Sequence, residues 1–227
     1  MKEPEKPNRR QGSGIIFVIS APSGAGKTTL LREVVKQLPD LRFSISHTTR
    51  PPRANEERGK DYYFISPSEF EKMRSRGEFL EWTEVSGNRY GTAKTEISRR
   101  IAAGKDLLLD VDSRGAGKVL RELETVVLIY ILPPSLRVLT RRLTGRGLDS
   151  PEVVRLRLAN ARKEMGESRW YHYLIVYDRV DEAVERLKAV IMAERCRRDK
   201  PAILRKMRIL REESDGKNHR GRLLKKG

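Results

Sequence analysis

Residues 15–28 read IIFVISAPSGAGKT, and no other stretch restricts the fold of this chain as strongly. Ile15 to Ser20 is a short β-branched apolar run bounded by turn residues, the pattern of a strand buried on both faces. From Thr28 to Leu38, Leu30, Leu31, Val34, Val35 and Leu38 recur at helical spacing, and Pro39 closes the helix. The loop between strand and helix fits the phosphate-binding pattern, with Ala21 standing where that pattern has its first Gly. Small residues at Ser23, Gly24, Ala25 and Gly26 let the backbone approach phosphate oxygens, and the helix N-terminus aims amide donors at them. The loop from Ala21 and Pro22 through Thr29 is therefore expected to cradle ATP. Within it, Lys27 would neutralise the β- and γ-phosphates and the Thr28 hydroxyl would ligate Mg²⁺.

The rest of the chain extends this unit into an α/β fold. Asp106 to Asp112 (DLLLDVD) and Val126 to Leu132 (VVLIYIL) read as buried strands, separated by a helical stretch from Arg114 to Leu123. Leu174 to Tyr177 is a shorter strand, followed by a helix from about Asp181 to Arg197. Alternation of this kind predicts a parallel sheet flanked by helices, of the P-loop nucleotide-hydrolase type. Two inserts interrupt it. Between about residues 43 and 92 the pattern becomes short alternating strands, RFSIS, YYFI and FLEWTEVS, with one helix begun by Ser66-Pro67-Ser68-Glu69 and ended at Gly77. Residues 134–165 read as two helical stretches joined at TGRGLDS and rich in arginine. The expected organisation is an extension at 1–13, one domain over 14–197 and a basic tail at 198–227. Within the domain the core would take 14–42, 93–133 and 166–197, the β-rich lobe 43–92 and the helical lid 134–165.

The net charge of +17 raises the question of nucleic acid, and its distribution answers most of it. From Arg195 to Gly227 there are 13 Lys or Arg against 4 acids, a net of +9, and residues 1–13 add +2, which leaves +6 for the body. A modest surplus suits a body that handles polyphosphates, so no obligatory nucleic acid is expected. The tail's surplus favours at most a weak, salt-sensitive contact with RNA. One cysteine, Cys196, and three scattered histidines exclude an internal disulfide and offer no metal cluster at ligand spacing. No apolar run is long enough for a membrane span, and the start lacks a signal-peptide pattern, so a cytoplasmic protein is expected.

Asp110 and Asp112 lie at the carboxyl end of a buried strand, where open α/β sheets place ligands. Either would order the water shell of the metal, or cap the helix that follows. Beside these features, SHTTRPPRANEERGKDYYF at 46–64 resembles the GMP-recognition segment of guanylate kinases, and EWTEVSGNRYGT and DLLLDVD resemble the later blocks of that family in order. The match runs from about Ile15 to Arg197.

That resemblance implies transfer of the γ-phosphate of ATP to GMP, giving ADP and GDP, with Mg²⁺ as cofactor. It puts Ser46, Glu81 and Thr92 on the guanine base, whose N1–H and N2–H donors one carboxylate can accept as a pair. It puts Arg50, Arg53, Tyr62 and Tyr90 on the GMP phosphate with Glu56 in support, where arginine grips phosphate oxygens bidentately. Asp110 and Asp112 fall in the same GMP site. The resemblance also implies that Arg142, Arg146 and Arg157 lie in the lid and act on the transferring phosphate beside Lys27. Three positions depart from the family pattern: Asn55 replaces a usual Gly, Ser113-Arg114 follows Asp112, and Tyr177 precedes Asp178 where an Asn commonly approaches adenine. Two other readings share the fold: a catalytically silent protein-binding module, and a kinase acting on a ribosyl bisphosphate. The intact Lys27 and Thr28 argue against the first, Glu81 and the 46–53 block against the second. A monomer or small homo-oligomer is expected.

Overall fold

The computed structural model describes residues 14–85, 87–123, 125–145 and 151–197. In chain order these form β1 (Ile16–Ser20), α1 (Lys27–Gln37), β2 (Leu41–Phe43), β3 (His47–Thr48), β4 (Tyr63–Phe64), α2 (Pro67–Ser75), β5 (Phe79–Val85) and β6 (Asn88–Ala93). Then follow α3 (Lys94–Ala102), β7 (Asp106–Asp110), α4 (Ser113–Glu122), β8 (Val127–Leu132), α5 (Leu136–Thr144), α6 (Pro151–Gly166), β9 (Tyr173–Val176) and α7 (Val180–Cys196).

Five of these strands make one parallel sheet in the order β2-β7-β1-β8-β9. Val18 of central β1 stands opposite Leu109 on one side and Leu128 on the other. Because side chains alternate along a strand, β1 feeds two cores at once. Phe17 and Ile19 pack with Leu30, Leu31 and Val34 of α1 and Leu187 and Ile191 of α7. Ile16 and Val18 pack with Ile97 of α3 and Val119 of α4 on the other face. Burial on both faces is why these strands read as continuous apolar runs. All five carboxyl ends meet one edge, where the phosphate loop leaves β1.

A second sheet, ordered β4-β3-β6-β5, forms the small lobe, with β3–β6 and β5–β6 antiparallel and β3–β4 parallel. Its own core is Ile65, Phe70 and Phe79, with Met73 and Trp82 packed against them. Helix α2 begins as its sequence predicts: the Ser66 side chain accepts from the Glu69 amide at 3.1 Å, Pro67 takes the first position, and Gly77 follows its end at φ 66°. The lid is α5 against α6, closed over Leu139, Leu143, Val154 and Ala161.

Three elements differ from the sequence reading. Of the expected RFSIS strand, Arg42 and Phe43 join Leu41 in β2 of the parallel sheet, where Leu41 faces Asp106 and Phe43 faces Leu108. A three-residue strand takes its sheet from a partner more than sixty residues away, which no local pattern encodes. Strand β6 was not expected, because Asn88, Arg89 and Gly91 break any apolar alternation. Gly91 is required there: a Cβ would lie 2.8 Å from the Phe79 ring. Helix α3 was not expected either. Its buried side is Glu96 and Ile97, the carboxylate admitted by Arg99 and Arg100 on the same helix. Among the described residues no helix is long and apolar enough to cross a membrane.

Candidate active site

The phosphate loop joins β1 to α1 with Gly24 and Gly26 at φ 86° and 91°, conformations that side chains rarely adopt. Each glycine is also in close contact. A Cβ on Gly24 would sit 2.5 Å from the Leu143 side chain of α5, and one on Gly26 would sit 2.8 Å from the Tyr177 ring. The N-cap of α1 is Gly26, with no side-chain acceptor, so the first amides of the helix face the loop free to bind an anion. Ala25 and Pro22 are buried and Ala21 is partly buried, whereas Ser23, Thr28 and Thr29 are exposed. Lys27 lies across the sheet edge. Its ammonium pairs with the Asp110 carboxylate and donates to the Val111 carbonyl at 3.2 Å.

The charge of Asp110 is also felt in the lobe. It is the strongest charge acting on the Tyr62 hydroxyl, which burial first and then Asp110 push up to about 12. The Tyr62 ring meets the Tyr90 ring edge-on at 5.9 Å, and the Arg50 guanidinium lies 5.5 Å from the centre of the Tyr62 ring. Arg50 in turn donates from one nitrogen to both Glu56 oxygens at 2.7 and 2.8 Å. Glu56 also accepts from the Arg53 amide at 2.9 Å. Burial pushes the Glu56 carboxyl up, but the Arg53 amide and the Arg50 guanidinium outweigh it and hold the group below its ordinary range. Glu56 thus folds the 53–56 turn and fixes Arg50 while the Arg53 side chain stays exposed.

Glu81 is the buried charge of the site, 4% exposed on β5 directly opposite Thr92 of β6. The Thr92 hydroxyl donates to its carboxylate at 2.6 Å. Burial, opposed by that hydroxyl and reinforced by Asp112, pushes the Glu81 carboxyl up to about 7. Ser46 directly precedes β3, whose His47 faces Gly91, so it falls beside Thr92 on the same sheet. Glu81 also rests against the first turn of α4, where a Cβ on Gly115 would come 2.9 Å from its oxygen.

The two aspartates at the end of β7 divide their work. Both oxygens of Asp112 are engaged: one accepts from the Gly115 amide at 2.7 Å as the N-cap of α4, the other from the Thr83 hydroxyl at 3.1 Å. Asp110 faces Lys27. Of the lid arginines, Arg142 is held by main-chain carbonyls, donating to Ala25 at 3.0 Å and Asp178 at 3.1 Å, with its guanidinium 5.0 Å from the centre of the Tyr177 ring. These bonds tie α5 to the phosphate loop and hold Arg142 beside it. With Arg141, Gly24, Gly26, Tyr177 and Asp178 it lines an open cleft of about 410 Å³. Arg157 is half-buried on α6. Arg146, the extension 1–13 and the tail 198–227 lie outside the described residues.

Sequence reasoning missed Thr83, Gly115 and Lys118. Lys118 donates to the Trp82 carbonyl, and its charge is among those acting on Glu81. No signal in the chain could have joined α4 to β5, since the pair meets only through the fold.

A phosphate loop at the carboxyl edge of a parallel sheet, with an arginine–tyrosine cluster and a buried carboxylate on a second, smaller sheet, suits a nucleoside monophosphate kinase, a P-loop transferase. A family model described as guanylate kinase matches residues 14–194. The chain belongs to the guanylate kinase family, and guanylate kinase is its function. The guanylate kinase of Geobacter metallireducens is 53% identical over 184 residues, 81% of this chain and 91% of the relative. That of Geobacter sulfurreducens is 52% identical over the same spans. The crystal structure of guanylate kinase from Anaplasma phagocytophilum matches with a TM-score of 0.72 at 32% identity, covering 87% of this chain and 94% of that one.

Proposed function

We propose that the chain moves the γ-phosphate of ATP to GMP between two anion sites set in line across the carboxyl edge of the sheet, giving ADP and GDP. One observation carries this reading: Lys27 of the phosphate loop pairs with Asp110 at the carboxyl edge of the sheet, and the strongest charge acting on Tyr62 of the lobe cluster, whose ring lies 5.5 Å from the Arg50 guanidinium, is that same Asp110. Phosphoryl transfer needs such alignment and neutralised charge, with little covalent help. The first amides of α1 and Lys27 hold the ATP phosphates. The α5–β9 cleft beside Tyr177 and Arg142 takes the adenine end. Arg50, Arg53, Tyr62 and Tyr90 hold the GMP phosphate, Arg50 kept in place by Glu56.

Glu81, Thr92 and Ser46 read guanine. An ionised Glu81 accepts N1–H and N2–H together, and adenine would set an acceptor against it, which a buried carboxylate rejects. The oxygen donors present suit a hard cation that keeps most of its waters. Thr28 would hold Mg²⁺ directly, with Asp110 through water in preference to the fully engaged Asp112. When bound, Mg²⁺ neutralises charge on the β- and γ-phosphates. Arg157 and Arg146 close from the lid, and the closed lid excludes water that would otherwise take the phosphate.

The division into a 14–197 domain with the three inner regions is part of this proposal, as are a cytoplasmic location and a monomer or small homo-oligomer. A phosphotransfer assay with ATP and Mg²⁺, offering GMP, AMP, CMP, UMP and a ribosyl bisphosphate side by side, tests the activity. Selective GDP formation is expected; a folded sample that binds GMP and transfers to nothing would overturn it. Weak RNA contact by the tail is tested by comparing RNA retention of the full chain with a chain ending at Arg198, at low and moderate salt. Equal retention sinks that idea.

A further inference from the structure

Glu81 reads the base from a strand that its own sheet holds loosely. Strand β5 is the edge of the small sheet, next to β6. Its register against β6 shifts just before Glu81: Phe79 stands opposite Ala93 and Glu81 opposite Thr92, so three residues of β5 face two of β6. Such a bulge leaves one residue unpaired and re-aims the side chains beside it. On the outer side of the strand lies an open cleft of about 260 Å³, whose lining includes Arg74, Leu80, Trp82 and Arg121, so close packing does not brace the bulge there. The ladder alone does not fix where the Glu81 carboxylate points.

The missing support comes from α4. Each of the three residues after Glu81 is bonded to that helix or its cap. Lys118 donates to the Trp82 carbonyl, the Thr83 hydroxyl donates to Asp112 at 3.1 Å, and Arg114 donates to the Glu84 carbonyl at 3.4 Å. The carbonyls of Trp82 and Glu84 are two residues apart, the spacing at which a strand presents main-chain groups to one edge, and Arg114 and Lys118, four apart on α4, take one each. Of these bonds the one from Lys118 lies nearest the bulge and adjoins Glu81. Lys118 is half-buried, and its ammonium sits 4.8 Å from the centre of the Trp82 ring, whose aromatic face helps to hold the cation. Gly115, one turn earlier on the same side of α4, is where the Glu81 oxygen rests, since a Cβ there would come within 2.9 Å of it.

We propose that Lys118 is a positioning residue for guanine recognition: by holding the Trp82 carbonyl it fixes the bulged strand on α4, so that the Glu81 carboxylate meets both N–H donors of the base at once. This deepens the proposed guanine site and rests on Glu81 reading the base. Lys118 acts through the strand, and its charge is a separate matter. Burial and Asp112 oppose ionisation of Glu81, whereas the Thr92 hydroxyl and the Lys118 charge favour it. Of the other charged groups lining the cleft, Arg74 is paired with Glu71, and Arg121 and Glu122 are exposed. Where the pH is high enough to ionise Glu81 fully, the help from that charge disappears and the positioning remains.

The test measures kcat and KM for ATP, GMP and IMP at pH 7 and pH 9 for Lys118→Met, Lys118→Arg and Glu81→Gln in the full chain, with thermal unfolding of each. IMP keeps N1–H and lacks the 2-amino group, so the preference for GMP over IMP reports paired acceptance by Glu81. Lys118→Met keeps the length of the side chain without its donor. It is expected to raise KM for GMP about tenfold and to cut the preference for GMP over IMP about fivefold at both pH values, with kcat and KM for ATP within about twofold of the parent. Lys118→Arg restores a donor and is expected to stay within about threefold of the parent. An unchanged preference in folded Lys118→Met, a loss that disappears at pH 9, or an Arg variant as poor as Met overturns the proposal. Glu81→Gln separates the two layers: if it leaves GMP kinetics intact the guanine reading fails, and if it impairs GMP use while Lys118→Met does not, only the role of Lys118 fails.

Discussion

Replacing Glu81 by Gln tests the guanine site and its energetics together. In the folded chain the carboxyl is pushed up to about 7 from an ordinary 4.5. Between those values the native state holds a proton that the unfolded chain has released, so stability falls as pH rises through this window. The penalty grows by about 2–3 kcal/mol from pH 5 to pH 8 and levels off above the folded value. Gln has no such penalty and still accepts from the Thr92 hydroxyl. Relative to the parent, Glu81→Gln is therefore expected to gain about 2–3 kcal/mol across that range, roughly 5–10 °C in Tm for a domain of this size. Denaturant or thermal unfolding of both proteins from pH 5 to pH 8 measures the difference. Function moves the other way. The amide sets its own donors against guanine N–H groups, and kcat/KM for GMP should fall on the order of 10²–10³-fold with KM for ATP near normal. In the parent, kcat/KM for GMP should drop about tenfold from pH 8 to pH 6, as the acceptor is protonated. Parallel stability curves for the two proteins, with GMP kinetics unchanged in the variant, would refute both the burial argument and the assignment.

Further outcomes follow from the same geometry. Lys27→Ala should abolish measurable transfer, a loss of at least about 10²–10³-fold, while circular dichroism and GMP binding show a folded chain; retained turnover would count against the phosphate-loop assignment. Arg50→Lys loses the paired contact to Glu56 and bidentate grip, so KM for GMP should rise about 10–100-fold with KM for ATP unmoved, read by steady-state kinetics. Gly24→Ala puts a methyl group 2.5 Å from Leu143 at a positive φ. ATP affinity should fall at least tenfold by titration while GMP affinity holds, and normal ATP binding would show that loop and lid are not packed as described.

The sequence by itself determined what is contiguous. IIFVIS, the small-residue loop and the amphipathic helix after it lie within one stretch of chain, and backbone sterics and burial dictate strand, anion site and helix there without reference to anything distant. The same holds for the Ser66–Glu69 helix start and for the parallel sheet as a class, since apolar strands alternating with helices admit few other arrangements. The tertiary structure decided what depends on pairing. Arg42 and Phe43 went to the core sheet because β7 offered them an edge. Polar β6 became a strand because β3 and β5 flank it. Asp110 and Asp112 are two residues apart and alike to local reasoning, yet one meets Lys27 and the other caps α4. Glu81 shows the reason: its charge is set by burial, by Thr92 of β6 and by Asp112 and Lys118 of the α4 segment, brought from two other parts of the chain, and desolvation is a property of the packed environment that no stretch of chain carries alone.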